Sequence, residues 1–584
     1  MILTWQIARK LFLMLMVLSA VNAASAQTVM VYQGPDWTNR ERQEFYTRDQ
    51  GSRIMPLVWM QALEYPRKKP FLRDSLARFG YLPNPAINLA DIPVGFTVSQ
   101  ESVPSIGMTC AACHTRQINV NGTAYRIDGG PAIVDFQSFL QELDFAVAAV
   151  LKTDASVKVF ARAVLGNDAS PEAITALKTE VELWQLRFST LIRRSLPDPA
   201  WGPSRLDAVS MIFNRLAGLD LGEPPSYIIE DNIESANAPT RYPFLWNAAR
   251  QDFTQWPGFA ENGNSILGLA RNLGEVYGVF GVFHPTKQSG FLKLNRDYIS
   301  NNSANFDGLA DVEDLIRKFG PPRWPWMIDD TLASAGAQIY HRSQADGGCA
   351  ECHRINPGKF RGIGIKTWAT PILDVGTDRR ECEILTRTAK SGVLEGAKIP
   401  FLNSGKPLQA VESVFNLLSF SVVGAITQHK LSTFSQSEGV LMSESVDSAE
   451  QFPDELKQLQ GAFPEMQVSG TEVMMVTDGE PECAYESRVM EGIWAAAPYL
   501  HNGSVATLED LLKPASQRKS EFAIGWSYDI EKVGLAAAQT QFDYVLHTTD
   551  CSNLSSGNSR CGHEFGTQLP ESDKRALLEY LKSL

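Results

Sequence analysis

Apolar residues recur at helical spacing in several segments of the chain. In residues 329–340, Leu332, Ala335, Gly336 and Ile339 would share one helix face. Residues 570–584 carry a stripe of four leucines, with acidic residues in the first turn: Leu577, Leu578, Leu581 and Leu584. Further helical patterns cover residues 56–63, 131–151 and 171–195. Strand patterns are short and few, so we predict a mainly α chain with little β structure.

The first apolar run, residues 11–21, follows Arg9 and Lys10 and precedes the small residues Ala24-Ser25-Ala26. This order predicts a signal peptide over residues 1–26. The run is too short to span a bilayer, although an uncleaved N-terminal anchor is the alternative. We therefore expect a periplasmic or secreted protein without a membrane span after signal cleavage.

The composition of the chain argues against some classes of binding partner. The 584 residues are 44% hydrophobic and 20% charged, as in ordinary globular proteins, and the length suggests several domains. The net charge of −13 argues against nucleic acid and anionic membrane surfaces, because phosphate binding needs clustered Lys and Arg.

Two copies of the pattern Cys-x-x-Cys-His indicate the chemistry: Cys110-Ala111-Ala112-Cys113-His114 and Cys349-Ala350-Glu351-Cys352-His353. The pattern is typical of c-type haem attachment, in which two thiols add to the haem vinyl groups and the histidine binds the iron. A zinc site would want a second Cys-x-x-Cys or a histidine pair in the same module, and neither is present. The motifs predict two covalently bound haem c groups, with His114 and His353 as axial ligands.

Four cysteines remain outside the motifs, and an even number in an exported protein suggests disulfides. Cys551 and Cys561 flank a short Ser/Asn/Gly loop, so we expect them to form a local bridge. A Cys382–Cys483 bridge then follows by elimination.

The motifs lie too far apart for one small cytochrome module, and a Pro- and Trp-rich stretch, residues 320–326, separates them. A helix before the second motif and an amphipathic helix at the end are typical of a c-type cytochrome domain. We predict two c-type cytochrome domains with long loop-rich extensions, over residues 27–320 and 327–584. Residues 220–310, rich in Gly, Asn, Pro and aromatics, are expected to be ordered loops near a cofactor.

Several strings resemble the bacterial di-haem cytochrome c peroxidase superfamily, and more closely its branch of di-haem rubber (latex) oxygenases. The resemblance runs from about residue 40 to the end of the chain. The strings are residues 108–115, Arg126-Ile127-Asp128-Gly129-Gly130-Pro131, Tyr242-Pro243-Phe244-Leu245-Trp246, Gln255-Trp256, Gly263-Asn264-Ser265, Gly492-Ile493-Trp494, Ala497-Pro498-Tyr499-Leu500-His501-Asn502-Gly503-Ser504 and Gly562-His563-Glu564-Phe565-Gly566.

The resemblance implies that the two haems have different functions. The N-terminal haem would be reactive, with an open or weakly held distal position, and the C-terminal haem would be six-coordinate and transfer electrons. His563 lies just before the terminal helix, where small cytochromes place a distal ligand, and the resembling oxygenases use His/His ligation there; His501 is the alternative. For the first haem, residues 115–134 contain no histidine, so its iron is open or is capped by Met, water, dioxygen or His284.

Aromatic residues suggest an apolar distal pocket at the first haem: Phe244, Trp246, Phe253, Trp256, Phe280 and Phe283. An apolar pocket favours the binding of dioxygen over the cleavage of peroxide, because peroxide cleavage requires a positioned acid–base group. By resemblance, Trp246 matches a tryptophan that relays electrons between the haems, although it could equally be a packed core residue. Gln255 is a candidate donor to bound oxygen.

Together these patterns predict an exported di-haem c oxidoreductase that activates dioxygen or hydrogen peroxide at the His114 haem. Electrons would pass through the His353/His563 haem, with a small redox protein as a candidate donor. In one version of this hypothesis, the enzyme cleaves an alkene in an apolar substrate such as polyisoprene. A di-haem peroxidase is the alternative enzyme, and a non-catalytic di-haem electron carrier is the alternative outside catalysis.

Overall fold

The computed structural model describes residues 28–84, 91–287, 294–399, 402–438, 467–469, 472–474 and 483–584. The predicted signal peptide lies outside these residues. The α-helices are Asn39–Thr47 (α1), Leu57–Ala62 (α2), Phe136–Leu151 (α3), Asp154–Leu165 (α4), Pro171–Ser195 (α5), Ala208–Arg215 (α6), Ser265–Gly278 (α7), Phe306–Ile316 (α8), Asp330–Tyr340 (α9), Ala350–His353 (α10), Arg380–Ile384 (α11), Val414–Glu438 (α12), Leu508–Leu511 (α13) and Glu571–Ser583 (α14).

The strands are short and spread along the chain: Thr28–Met30 (β1), Met55–Pro56 (β2), Phe96–Val98 (β3), Ser105–Met108 (β4), Thr115–Val120 (β5), Thr123–Asp128 (β6), Arg205–Leu206 (β7), Thr240–Arg241 (β8), Phe253–Thr254 (β9), Ala260–Glu261 (β10), Asn356–Pro357 (β11), Trp368–Ala369 (β12), Ile372–Leu373 (β13), Thr388–Lys390 (β14), Val411–Ser413 (β15), Gln467–Ser469 (β16), Glu472–Met474 (β17), Tyr485–Glu486 (β18), Glu521–Ala523 (β19), Tyr528–Asp529 (β20), Gly534–Leu535 (β21) and Val545–His547 (β22).

The predicted fold class, a mainly α chain of two c-type cytochrome domains with little β structure, is wrong. The described strands form ten small sheets. Two of them, in the orders β1-β6-β5 and β2-β4-β3, frame the first Cys-x-x-Cys-His motif, because β4 ends just before it and β5 begins just after His114. Most of these strands are only two or three residues long, too short to show the alternation by which a strand is recognised in a sequence.

The hydrophobic cores also join distant parts of the chain. Phe45 and Trp246 belong to the same buried cluster as Leu577, in the terminal helix α14. A second cluster joins Leu273 of α7 to Phe415 of α12. Two separately packed cytochrome modules are therefore not plainly visible, and the bounds 27–320 and 327–584 stay predictions.

The strongly periodic helices were predicted correctly. Helices α9 and α14 lie where the apolar stripes placed them, and α2, α3 and α5 correspond to the other three helical patterns. The expectation of loops over residues 220–310 was wrong for α7 and for the start of α8. Among the described residues, no helix is both long enough and apolar enough to cross a membrane.

Helices α9 and α14 pack closely at Gly336, where an added Cβ would lie 1.9 Å from the backbone oxygen of Ala576. We expect Gly336→Ala to lower the free energy of unfolding. The clash with a backbone atom, typically about 1–3 kcal/mol, outweighs the roughly 1 kcal/mol of helix propensity that alanine adds. Thermal unfolding followed by circular dichroism measures the effect. Ser334→Ala, on the exposed face of α9, is the control, and an unchanged melting temperature for Gly336→Ala would contradict this packing.

Candidate functional site

The first motif folds as a single 3-10 turn, Cys110–Ala112, between β4 and β5. The Thr109 side chain caps this turn by accepting a hydrogen bond from Ala111 N at 3.3 Å. Gly95 has a φ of +81°, and a Cβ there would lie 2.0 Å from Ala112 N, so only glycine lets the chain pass this close. The turn directs Cys110, Cys113 and His114 into one cavity.

Backbone carbonyls orient both motif histidines. His114 Nδ1–H donates to Pro243 O at 2.9 Å, and His353 Nδ1–H donates to Arg488 O at 2.9 Å. A carbonyl can only accept, so Nδ1 carries the proton and Nε2 is left to bind a metal. Burial lowers the pKa of His114 to about 4 and also lowers the pKa of His353, so both rings are neutral near neutral pH.

Each motif has its own cavity. Cys110, Cys113 and His114 line the first cavity, and Cys349, Cys352 and His353 line the second. None of these four cysteines forms a disulfide. Two thiols beside a histidine that presents Nε2 are the groups that a covalently attached haem requires, so the residues fit that cofactor.

His563 faces His353 across the second cavity. Their ring centres are 6.2 Å apart, and both rings line the cavity. Metal–imidazole bonds of about 2 Å would place the ring centres of two axial histidines about 6 Å apart. The spacing therefore fits one metal ion held between the two rings.

The loop that carries His563 is fixed from several sides. His563 N donates to Val375 O at 2.9 Å, and a Cβ on Gly562 would lie 2.4 Å from Thr377 N, so the two segments touch backbone to backbone. Arg518 donates to the carbonyls of Gly562 at 2.7 Å and His563 at 3.0 Å. These contacts hold the His563 ring in place before the terminal helix begins.

The other candidate histidines lie elsewhere. His501 lines the second cavity, but its ring stacks on Tyr485 with centres 3.8 Å apart. His284 stacks on Tyr227 at 3.7 Å and lies 3.5 Å from Asp220, away from both described cavities. Within the described part of the chain, His114 is the only histidine that lines the first cavity.

The surface of the first cavity is mostly apolar, but several polar side chains also line it. Of the six aromatic residues expected there, only Phe244 and Trp256 are among its described lining residues. Gln255 also lines it and donates from Nε2 to Glu275 Oε1 at 2.5 Å. Burial raises the pKa of Glu275, which favours a protonated carboxyl group able to give up a proton. Sequence analysis missed Glu275, although it is the single acidic residue of α7.

Trp256, rather than Trp246, lies between the cavities. Trp246 stacks on Phe244 with ring centres 4.6 Å apart, donates to Glu491 O at 2.8 Å and lines neither cavity. Trp256 lines both cavities. The electron-relay role predicted for Trp246 stays a prediction, but the position that role requires is held by Trp256.

Both expected disulfides are confirmed, Cys382–Cys483 and Cys551–Cys561. Cys551–Cys561 closes the loop that leads into His563. Cys382 and Cys483 pack with Trp256 and Tyr485 in one small hydrophobic cluster, next to the junction of the two cavities. The two bridges therefore stabilise the segments on which the second cavity depends.

Residues 484–523 match a protein-family model described as RoxA-like, cytochrome c-like. This stretch includes Arg488 and His501, which line the second cavity. The match indicates a haem-binding oxidoreductase with a cytochrome c-like region.

Two proteins of Sinorhizobium fredii are similar to this chain. The uncharacterized protein y4iJ is 28% identical over 613 aligned residues, covering 94% of this chain and 92% of that protein. The uncharacterized protein y4iM is 32% identical over 101 residues, covering 17% of this chain and 23% of that protein. Neither description states an activity.

Proposed function

We propose that this protein is an oxidoreductase with two covalently bound haem c groups, one in each cavity. The observation that carries the proposal is that each cavity collects both thiols and the backbone-oriented histidine of one Cys-x-x-Cys-His motif. When bound, such a haem supplies an iron that binds peroxide or dioxygen and exchanges single electrons.

The two sites would have different tasks. His353 and His563 would occupy both axial positions in the second cavity, which suits electron transfer because no position is left for a substrate. The first cavity offers only His114 among the described histidines, so a small molecule has room to bind there. Trp256 lines both cavities, so electrons that pass from one site to the other would cross near its indole ring.

The reaction that the first cavity supports best is the reduction of hydrogen peroxide. Splitting one peroxide into two water molecules takes two electrons and two protons. Glu275 would deliver and recover a proton, with Gln255 holding its carboxyl group in place through the 2.5 Å hydrogen bond. The electrons would come from a small redox protein by way of the second site.

A second candidate function is the oxidative cleavage of an alkene in an apolar substrate such as polyisoprene, with dioxygen in place of peroxide. The family match at residues 484–523 favours it. The two reactions differ in what they consume. Oxygen uptake with polyisoprene and without an added reductant would support the oxygenase, whereas peroxide-dependent oxidation of a reduced cytochrome would support the peroxidase.

The Glu275→Gln substitution tests the proposed proton transfer. We expect peroxide-dependent oxidation of a reduced cytochrome to fall about 10²–10⁴-fold, the range that general acid–base groups contribute, while both haem spectra are kept. Asp144→Asn is a matched control, because Asp144 is also buried with a raised pKa but lines neither described cavity. Full peroxidase activity in Glu275→Gln would contradict this role for Glu275.

A further inference from the structure

The first and second cavities share three lining residues among those described: Arg241, Trp256 and Arg488. The guanidinium carbon of Arg241 lies 4.6 Å from the centre of the Trp256 ring, and that of Arg488 lies 4.5 Å from it. Both arginines are more than nine-tenths buried, with 4% and 7% of their surface exposed. The wall between the cavities is therefore one indole ring in contact with two buried guanidinium groups.

Protein carboxylates supply little of the negative charge that these arginines require. Arg241 donates to the backbone carbonyls of Leu500 at 3.0 Å and Tyr242 at 3.5 Å, and it has no ion pair with a described side chain. The Nε atom of Arg488 has no hydrogen-bond partner, although Glu486 Oε2 lies 3.6 Å away. Burial lowers the pKa of Arg241 to about 9, and repulsion from Arg488 adds to this effect, so Arg241 remains cationic near neutral pH.

The nearby acidic side chains correct this imbalance only in part. Glu381 lines the first cavity, but burial raises its pKa well above the usual range, and its Oε2 atom has no hydrogen-bond partner. Burial also raises the pKa of Glu486. Two adjacent buried cations that share one distant carboxylate, Glu486, are unfavourable unless another charged group pairs with them.

We propose that Arg241 and Arg488 form a carboxylate-binding site that spans both cavities and pairs with the propionate groups of both haems. The inference rests on the proposed function. Each haem brings two carboxylates, and arginine is the side chain best suited to pair with them. Because the two arginines line both cavities, one site can serve carboxylates that enter from either side.

This site would also set the electrostatic environment of Trp256. Two cations beside an indole ring oppose the removal of an electron from it, and paired carboxylates cancel that effect. The same segments orient the motif histidines, since Arg488 O accepts from His353 and Pro243, two positions after Arg241, accepts from His114. A change of charge at Arg241 or Arg488 should therefore alter the reduction potentials of both haems.

Spectroelectrochemical titration of the protein with both haems attached tests the site. In Arg241→Gln and in Arg488→Gln, we expect the reduction potentials of both haems to shift to more negative values, because loss of a positive charge favours the ferric state. Arg241→Lys and Arg488→Lys keep the charge and should restore most of the shift. Arg205→Gln removes an equally buried arginine that lines neither described cavity, and it should leave both potentials unchanged.

Two results would contradict this carboxylate-binding site. The first is a shift of the reduction potential at only one haem or at neither. The second is a shift in the lysine variants as large as that in the glutamine variants, which would indicate a structural role for the arginines. If the glutamine variants do not fold, the propionate bending bands in resonance Raman spectra of the lysine variants decide, because altered pairing must move them and unmoved bands contradict the proposal. The mass of the intact protein separates the two hypotheses. Fewer than two attached haems would refute the proposed function. Two attached haems whose reduction potentials do not both shift would refute only this carboxylate-binding site.

Discussion

Replacing His114 with alanine is expected to abolish peroxide-dependent oxidation of a reduced cytochrome. No other described histidine lines the first cavity, so nothing can replace the ligand. Cys110 and Cys113 remain, and we expect the haem to stay covalently attached while the spectrum of the first site changes. Activity, the intact mass and the visible spectrum together measure the effect.

The control for this substitution is His547→Ala. His547 is largely exposed and lines neither described cavity, so its loss should leave both activity and spectrum unchanged. If His114→Ala keeps its activity, the reactive site is not at the first motif. Loss of the second site's low-spin spectrum in His114→Ala would contradict the assignment of separate ligands to the two sites.

Replacing His563 with alanine is expected to convert the second haem from six-coordinate and low-spin to high-spin. The 6.2 Å separation of the His353 and His563 ring centres leaves room for one iron between them, and alanine removes one of its two ligands. Electron delivery to the first site should fall sharply, because the change in ligation alters the potential of the second haem. Electron paramagnetic resonance of the oxidised protein shows the spin state directly.

His501→Ala is the matched comparison, because His501 lines the same cavity but stacks on Tyr485. It should keep the low-spin signal. A high-spin second haem in His501→Ala, together with an unchanged spectrum in His563→Ala, would show that the ligand is His501.

Long periodic helices could be predicted from the sequence, and strands of two or three residues could not. Helices α9 and α14 expose one face and bury the other, so their apolar positions repeat. Helix α7 also carries an apolar stripe, at Ile266, Leu269, Leu273 and Val276, and the expectation of loops over residues 220–310 overlooked it. The β5–β6 hairpin turns at Asn121-Gly122, both with positive φ, and this dipeptide is a hairpin signal that was overlooked.

The residues of the candidate site also divide into those that the sequence predicts and those that it does not. The motif residues and His563 could be placed from local patterns, since the haem motif and the start of the terminal helix both mark positions along the chain. Trp246 and Trp256 lie only ten positions apart, and nothing local indicates which of them reaches both cavities. Arg241 and Arg488 meet only because the fold brings together two distant segments. Contacts of this kind depend on tertiary packing, which periodicity does not encode.

The measurement that tests the account most directly is the haem content and visible spectrum of the isolated protein during titration with cyanide and with carbon monoxide. We predict two covalently bound haems per chain. One should be low-spin and unresponsive to both ligands, and the other should bind cyanide when oxidised and carbon monoxide when reduced. Fewer than two haems, or two low-spin haems that respond to neither ligand, would contradict a reactive site at His114 served by an electron-transfer site at His353 and His563.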